Sequence, residues 1–358
     1  MRSTLELEPF ADVLARHGLA GVPESPFPND GWSGARLAFR DADRTRFVIK
    51  RDNLSWDWIA RATLDGPVLR EAWFAAHGPT LPAPLWAPYH GAGTDFETDD
   101  ATPAGTAALL MPDLSRVLLP WEEPADLATT ERAIGAMATL HAHRWPAAAL
   151  AGGPWCPVRE RLLLLSRPAA ERYRAEGNPV GERFLAGWDA FDAAASPAAR
   201  RLIADLARDV SPLVAALARL PDTLIHGDLK LANLGFAPDG RIAIVDWQMV
   251  SVAPIAVELG WFLVSNAPSL PIGPEAVLAR YRQALDVAGG GPAIGAGEGT
   301  AEDWAMQVDL TIIVGLLLRG WRKGLDAAAQ ARYPSGERAI DDLAWWGARA
   351  VEAASRRL

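Results

Sequence analysis

The stretch LIHGDLKLANLGFAPDGRIAIVDW, residues 224–247, sets His226, Asp228, Lys230, Asn233 and Asp246 among apolar and turn residues. These side chains can accept protons or ligate cations. Asn233 follows Asp228 by five positions and precedes Asp246 by thirteen, an order that reads as base, metal-binding amide, metal-binding carboxylate. Phosphoryl transfer calls for such a set, because its transition state is loose and charged. One carboxylate must orient a hydroxyl and take its proton, while Mg²⁺ needs hard oxygen ligands.

Two elements must hold these groups. TLIHGD reads as a short apolar strand entering a tight turn at Gly227, which projects His226 and Asp228 from the strand end. IAIVDW, residues 242–247, reads as a second buried strand ending at Asp246, with APDG (237–240) as a turn between them. The two strands are expected to form a hairpin-like unit with both aspartates facing one cleft.

Upstream, LAFRD (37–41) and RFVIK (46–50) are β-prone runs joined by the polar DADRT, the pattern of an antiparallel hairpin. A helix is expected next, with Asp65 as N-cap, Pro67 in the first turn and Gly78 at the end, and with Leu69, Trp73 and Ala76 sharing a face. The acidic GTDFETDDATPAGT then leads into AALLM, a buried strand ending at Pro112. From about residue 124 helical patterns dominate, as in TERAIGAMATLHAHRW and SPAARRLIADLARDVSPLVAALARL. The glycine-rich AGGGPAIGAGEG, residues 288–299, reads as a loop between helices, either a lid or an insertion.

Composition narrows the function. The chain has 358 residues, half of them apolar, enough for two lobes or domains with ample core. A formal charge of −9, with no lysine and arginine run to offset it, disfavours nucleic acid and anionic lipid and points to a small-molecule partner. The longest mainly apolar run, Leu310 to Leu318, falls far short of the ~20 residues that cross a bilayer. The N-terminal MRSTLELEPFADVLARHG has early acids and an amphipathic pattern unlike a signal or transit peptide, so the expected compartment is the cytoplasm. Cys156 is alone and reads as a small buried hydrophobe.

HGDLKLAN followed by IVDW resembles the catalytic loop and metal motif of the aminoglycoside phosphotransferase and choline kinase-like family, distant relatives of protein kinases, whose own set is H-R-D-x-x-x-x-N and D-F-G. The resemblance implies an α+β, bilobal, protein kinase-like fold with a small antiparallel-sheet N-lobe and a larger, mainly helical C-lobe. It implies a nucleotide-binding lobe over residues 1–111 and a catalytic and substrate-binding lobe over 112–358. Asp228 would be the base, Asn233 and Asp246 the Mg²⁺ ligands, and His226 a support for the loop. Lys230 would neutralise the transferred phosphoryl group, pair with Asp228 or simply be solvated. The cofactors implied are ATP or GTP with Mg²⁺.

The same resemblance calls for a nucleotide site in the first third. In NDGWSGARLAF, Gly31 and Gly34 allow close backbone approach and Ser33 can donate to phosphate. Lys50 ends FVIK, similar to the kinase V-A-I-K, and would reach the α- and β-phosphates. Glu71 in REAWF is the expected partner of Lys50, with Asp57 as the alternative. LLMPDL (109–114) is similar to the hinge that binds adenine through backbone groups. Pro112 has no N–H, so Met111 or Asp113 would donate.

The acceptor is read only as a small molecule with a hydroxyl. Glu258, Glu302, Asp303 and Asp309 could meet a polycation, yet helix caps and solvated faces explain them more simply, and Glu258 is assigned to bracing the catalytic lobe. Trp247, Trp261, Trp304, Trp321, Trp345 and Trp346 could line a pocket, although core packing explains most of them. The alternative is a catalytically inactive nucleotide-binding or scaffold protein of the same fold. No D-F-G or A-P-E activation segment follows Asp246, which disfavours a protein kinase. Oligomeric state is not readable from the sequence.

Overall fold

The computed structural model describes residues 7–27, 35–42, 45–63, 68–95, 106–120, 123–289 and 301–358. Gly31, Ser33 and Gly34, the helix-start residues Asp65 and Pro67, and most of the loops 93–106 and 288–299 lie outside them. The chain forms two contact units. The first comprises Met1–Leu119, Pro146–Cys156 and Asn233–Val250, and the second Pro120–Trp145, Pro157–Ala232 and Ser251–Leu358.

The first unit is built on an antiparallel sheet of β1 (Ser25–Pro26), β2 (Arg36–Ala42), β3 (Thr45–Asn53), β5 (Gly91–Thr94) and β6 (Thr106–Pro112), ordered β1-β2-β3-β6-β5; β4 (Leu85–Trp86) lies outside it. The expected hairpin is β2 with β3, and Lys50 stands opposite Leu37 on one side and Leu109 on the other. AALLM is buried because β6 is covered on both faces. Ala108 and Leu110 join Ile49 and the helix Phe10–Arg16, whereas Ala107 and Leu109 pack with Ala60, Leu69 and Ala72. That second face is covered by the helices Trp58–Thr63 and Arg70–His77. Leu69 and Trp73 are buried as expected, but Ala76 is exposed. The buried face runs Arg70, Glu71, Ala72, Trp73, Phe74, since a helix of eight residues lying flat on the sheet buries its first turns and frees its last.

The strands around the opening motif pair differently from the expectation. Short runs on both sides, too brief to show a period, claim them instead. β7 (Thr223–Ile225) pairs antiparallel with β10 (Ser251–Ala253) in the second unit. In the first unit, β9 (Ile242–Ile244) lies between β4 and β8 (Leu234–Phe236). APDG is therefore the turn of the β8–β9 hairpin.

The second unit is mainly helical, so the α+β class with an antiparallel-sheet part and a larger helical part is what the structure has. Its axis is the helix Ala301–Ala328, packed by Val180–Ala194, Ile255–Ser265 and Ala339–Arg357. Ile255–Ser265 is buried along its whole length, and Gly260 makes this possible: a Cβ there would stand 2.7 Å from the Thr311 carbonyl oxygen and 2.8 Å from the Gly315 nitrogen. Trp247, Trp261, Trp321 and Trp346 are core residues of their units, while Trp304 and Trp345 are half-buried. Asp309 pairs with Arg356 and Arg357, and Glu302 with Arg357, so these acids tie down the C-terminal helix. Among the described residues, no helix is long and apolar enough to cross a membrane.

Candidate active site

In the first unit, Lys50 is 8% exposed at the centre of the sheet. Its Nζ lies 2.5 Å from Glu71 Oε2 and 2.8 Å from Asp246 Oδ1, with Asp52 Oδ2 at 3.9 Å. Burial works against its charge, but the carboxylates of Asp246, Glu71 and Asp52 outweigh it and hold its pKa well above the ordinary lysine value. The other oxygen of Glu71 accepts from the Tyr89 hydroxyl at 2.7 Å. Burial raises the Glu71 carboxyl despite Lys50, and raises Asp52 to about 7 and Asp57 to about 6. Of the two candidate partners, Glu71 is the one that meets Lys50. Asp57 accepts the Ala60 N–H at 3.0 Å, capping Trp58–Thr63.

Asp246 follows β9 in a left-handed conformation, φ 67° and ψ 56°. Aspartate tolerates this region better than most residues, and the conformation turns the chain into the one-turn helix Trp247–Met249. Trp247 anchors that turn by donating to the Ile244 carbonyl at 2.8 Å and stacking on Phe74, ring centres 4.2 Å apart. The Val245 N–H donates to the Asn233 carbonyl at 3.0 Å, so Asn233 and Asp246 belong to one local hairpin. Both offer hard oxygens, the donor chemistry that suits Mg²⁺, which binds one or two protein oxygens and completes its shell with phosphate and water. Among the described residues, no three carboxylates, histidines or cysteines converge as a closed metal cage.

Arg70 carried no signal in the sequence. It is buried and ties three segments together, donating to the Thr63 carbonyl at 2.8 Å, to Pro154 at 2.6 Å and to Gln248 at 2.5 Å. The helix that carries Glu71 is thereby joined to the turn that follows Asp246. At the expected hinge, the Asp113 N–H already donates to the Arg46 carbonyl at 3.1 Å and its side chain caps Ser115, so this amide is engaged within the sheet. Met111 stands opposite Val48.

The second unit holds Asp228 in a backbone clamp. Gly227 has φ 80°, where glycine alone is at ease. Its N–H donates to Glu258 Oε1 at 2.6 Å and its carbonyl accepts from Arg161 Nε at 3.0 Å, so both polar groups of this peptide are fixed by buried side chains. The His226 N–H donates to Glu258 Oε2 at 3.0 Å, and the Asp228 N–H donates to His226 Nδ1 at 3.2 Å. His226 thus serves the loop's shape. Asn266 Oδ1 accepts from the Leu231 N–H at 2.8 Å. Lys230 Nζ lies 3.3 Å from Asp228 Oδ2.

Behind the clamp, Glu258 Oε2 lies 3.0 Å from His141 Nε2, and His141 Nδ1 lies 2.8 Å from the Tyr281 hydroxyl. Burial alone would raise the Glu258 carboxyl, but the bonds from His141 and from the loop N–H groups hold it below the ordinary carboxylate value. His141, Tyr281 and Arg161 were not singled out from the sequence. A histidine or arginine inside an apolar helical run was the only available hint, and it does not name a partner.

Compared with known proteins, residues 25–297 match the phosphotransferase enzyme family. No curated protein matches. Similar solved structures include an aminoglycoside-3'-phosphotransferase of type VIII, at 20% identity over 87% of this chain and 98% of that one, with a TM-score of 0.43. Another is a thermostable mutant of the aminoglycoside phosphotransferase APH(4)-Ia, in ternary complex with AMP-PNP and hygromycin B, at 13% identity over 96% and 98%, TM-score 0.44. A third is the choline kinase LicA from Streptococcus pneumoniae, at 13% identity over 97% and 96%, TM-score 0.45.

Proposed function

The chain belongs to the phosphotransferase enzyme family and is a phosphotransferase acting on small molecules; on that premise we propose that it moves the γ-phosphoryl group of ATP or GTP to a hydroxyl of its acceptor, with Mg²⁺. The observation that carries this reading is the buried lysine that joins a helix carboxylate to the carboxylate after β9. In the proposed reaction Lys50 holds the α- and β-phosphates, Glu71 keeps Lys50 in place, and Asp228 takes the proton of the acceptor hydroxyl. The acceptor oxygen then bonds the γ-phosphorus as the bond from that phosphorus to the β–γ bridging oxygen breaks, and nucleoside diphosphate leaves. Lys230 pairs with Asp228 and orients it until the hydroxyl arrives. Asn233 and Asp246 would hold Mg²⁺, which neutralises phosphate charge when bound.

Nucleotide binding is assigned to residues 1–111, with Ser33, Gly34 and Met111 contributing, and catalysis and acceptor binding to residues 112–358. The segment that carries the metal ligands packs with the former. The cytoplasm remains the expected compartment.

Calorimetric titration of ATP into wild type and Asp246→Asn, with and without Mg²⁺, tests the nucleotide site. Asparagine keeps the tolerance for the left-handed conformation, so the variant isolates the ligand charge. Tight binding that requires both Mg²⁺ and Asp246 is expected. Absence of binding by ATP and GTP under every condition would leave a scaffold of the same fold. Lys50→Met is expected to weaken ATP by about tenfold or more, the loss of one charge-assisted bond of roughly 1.5–3 kcal/mol. Unchanged affinity and turnover would refute the Lys50 assignment.

A further inference from the structure

Glu71 ties Lys50 to the helix Arg70–His77, and both oxygens of its buried carboxylate are bonded. Oε2 faces Lys50 Nζ at 2.5 Å, and Oε1 accepts from the Tyr89 hydroxyl at 2.7 Å. Tyr89 belongs neither to the strand of Lys50 nor to the helix of Glu71. It stands in the connection between β4 and β5, where its own N–H donates to the Ala87 carbonyl at 2.9 Å and the next N–H, of His90, donates to the Leu110 carbonyl at 2.8 Å. Its ring packs against the core cluster that includes Leu69, Ala72, Ala92 and Leu109. The hydroxyl therefore reaches Glu71 from a braced backbone and a packed ring.

Donors are scarce around this carboxylate. A small cavity that Glu71 helps to line is also lined by Asp52, Asp57, Arg70 and Gln248. Asp52 Oδ1 and Gln248 Oε1 are buried without a hydrogen-bond partner, and Arg70 directs its N–H groups to Thr63 Oγ1 and to the carbonyls of Thr63, Pro154 and Gln248. Among the described residues, Lys50 and Tyr89 are the donors that reach Glu71. Burial raises the Glu71 carboxyl, Lys50 opposes the rise, and the charges of Asp246 and Asp52 add to it. Burial also lifts the Tyr89 hydroxyl well above the ordinary phenol value, so it remains a donor through the neutral range. A buried carboxylate oxygen stripped of its donor costs more than the bond contributes, and Glu71 would then take up a proton or turn away. Lys50, which also bonds Asp246 at 2.8 Å, would lose the partner that fixes it from the helix side.

We propose that Tyr89 is a positioning residue for nucleotide binding: its hydroxyl pins Glu71 Oε1 so that Oε2 holds Lys50 where the α- and β-phosphates meet it. This rests on Lys50 as the phosphate lysine, and Tyr89 acts through Glu71 alone. A dependence on pH separates this role from plain packing. The folded-state Glu71 carboxyl lies above its ordinary value of 4.5, so the folded chain keeps this proton to higher pH than the unfolded one, and stability is lost as pH rises from about 4.5 through the folded value. Removing a donor to the ionised form raises the folded value further. The cost of losing the Tyr89 hydroxyl is therefore smallest in acid, where Glu71 keeps its proton with or without it, and grows as pH rises.

The test is calorimetric titration of ATP with Mg²⁺ into wild type, Tyr89→Phe, Glu71→Gln and the double variant at about pH 5 and pH 8, with urea denaturation of the same four chains. Phenylalanine keeps the ring against the core and removes only the hydroxyl. Tyr89→Phe should weaken ATP by about tenfold at the higher pH, the usual effect of losing a bond to a charged group, and by a smaller factor at the lower. Its loss of stability should follow the same trend. In the Glu71→Gln background, where no carboxylate remains to be pinned, the effect of Tyr89→Phe should be much smaller and independent of pH. Wild-type ATP affinity in Tyr89→Phe, a loss that is equal at both pH values, or an equal loss with and without the Glu71 carboxylate overturns the proposal and leaves Tyr89 as packing. If wild type fails to bind ATP, or Lys50→Met leaves its affinity unchanged, the nucleotide reading beneath the proposal is what fails. Denaturation then judges the pinning of Glu71 by itself: a cost of Tyr89→Phe that grows with pH only when Glu71 is present supports it, and a constant cost overturns it.

Discussion

Asp228→Asn is expected to lower kcat by about 10²–10⁴-fold, the contribution of a positioned general base, while ATP with Mg²⁺ binds nearly as tightly as to wild type. The substitution changes one oxygen to an amide nitrogen and leaves the clamp untouched, because Gly227 and His226 are held through their backbone N–H groups by Glu258 and not by Asp228. What it removes is the ability to take a proton. It also deprives Lys230 of its carboxylate at 3.3 Å, in a part-buried pair. Steady-state ADP release and calorimetry on the same preparation separate the two effects. Turnover within a few-fold of wild type would remove Asp228 from the role of base and move the search to another acceptor of the proton.

Glu258→Gln is expected to cost about 3–5 kcal/mol of stability at neutral pH and most of the turnover, because a fully buried carboxylate here serves three donors. Glutamine can offer its oxygen to the Gly227 N–H, but its amide nitrogen then meets the His226 N–H, donor against donor. The loop before Asp228 loses one of its two fixed ends, and His141 loses its partner. Chemical denaturation measures the first consequence and ADP release the second. A sign follows for acid. The Glu258 carboxyl is held below its ordinary value of 4.5, so the unfolded chain takes up its proton at higher pH than the folded one. The stabilisation is therefore fully present above about 4.5 and is lost as pH falls through the lower folded-state value. The gap in stability between wild type and Glu258→Gln should stay flat between pH 6 and 8 and narrow once pH drops below the ordinary glutamate range. A gap that stays constant into acid would show that the clamp does not depend on the carboxylate's charge.

Much of the candidate site could be read from local spacing. His226, Asp228, Asn233 and Asp246 stand in an order that few other uses of those residues would produce, and Lys50 closes the run FVIK with Glu71 downstream in REAWF; the structure carries that strand on to Asn53 and sets the helix Trp58–Thr63 between them, yet places the two at 2.5 Å. The antiparallel β2–β3 hairpin and the doubly buried β6 were likewise legible, since alternation and apolar runs register burial directly in sequence. Strand pairing near the motif was not. β8 is three residues, Leu-Gly-Phe, too short and too glycine-rich to display a period, and it captures β9 across APDG. β7 finds its partner in β10, more than twenty residues later.

The sequence by itself determined which chemistry the chain carries, because the reactive groups and their order are local properties of two short stretches. Tertiary structure alone decided what holds them. Glu258 reaches Gly227 across thirty-one positions, Arg161 reaches the same peptide across sixty-six, and Arg70 reaches Gln248 across one hundred and seventy-eight. In each case one end of the bond is a backbone group, which has no residue type to recognise and becomes specific only when burial leaves it no water to bind. Spacing can announce a base or a ligand. Whether a buried arginine or glutamate meets a carbonyl, an N–H or a substrate depends on which helix face the core consumes, and the packing of the whole unit fixes that.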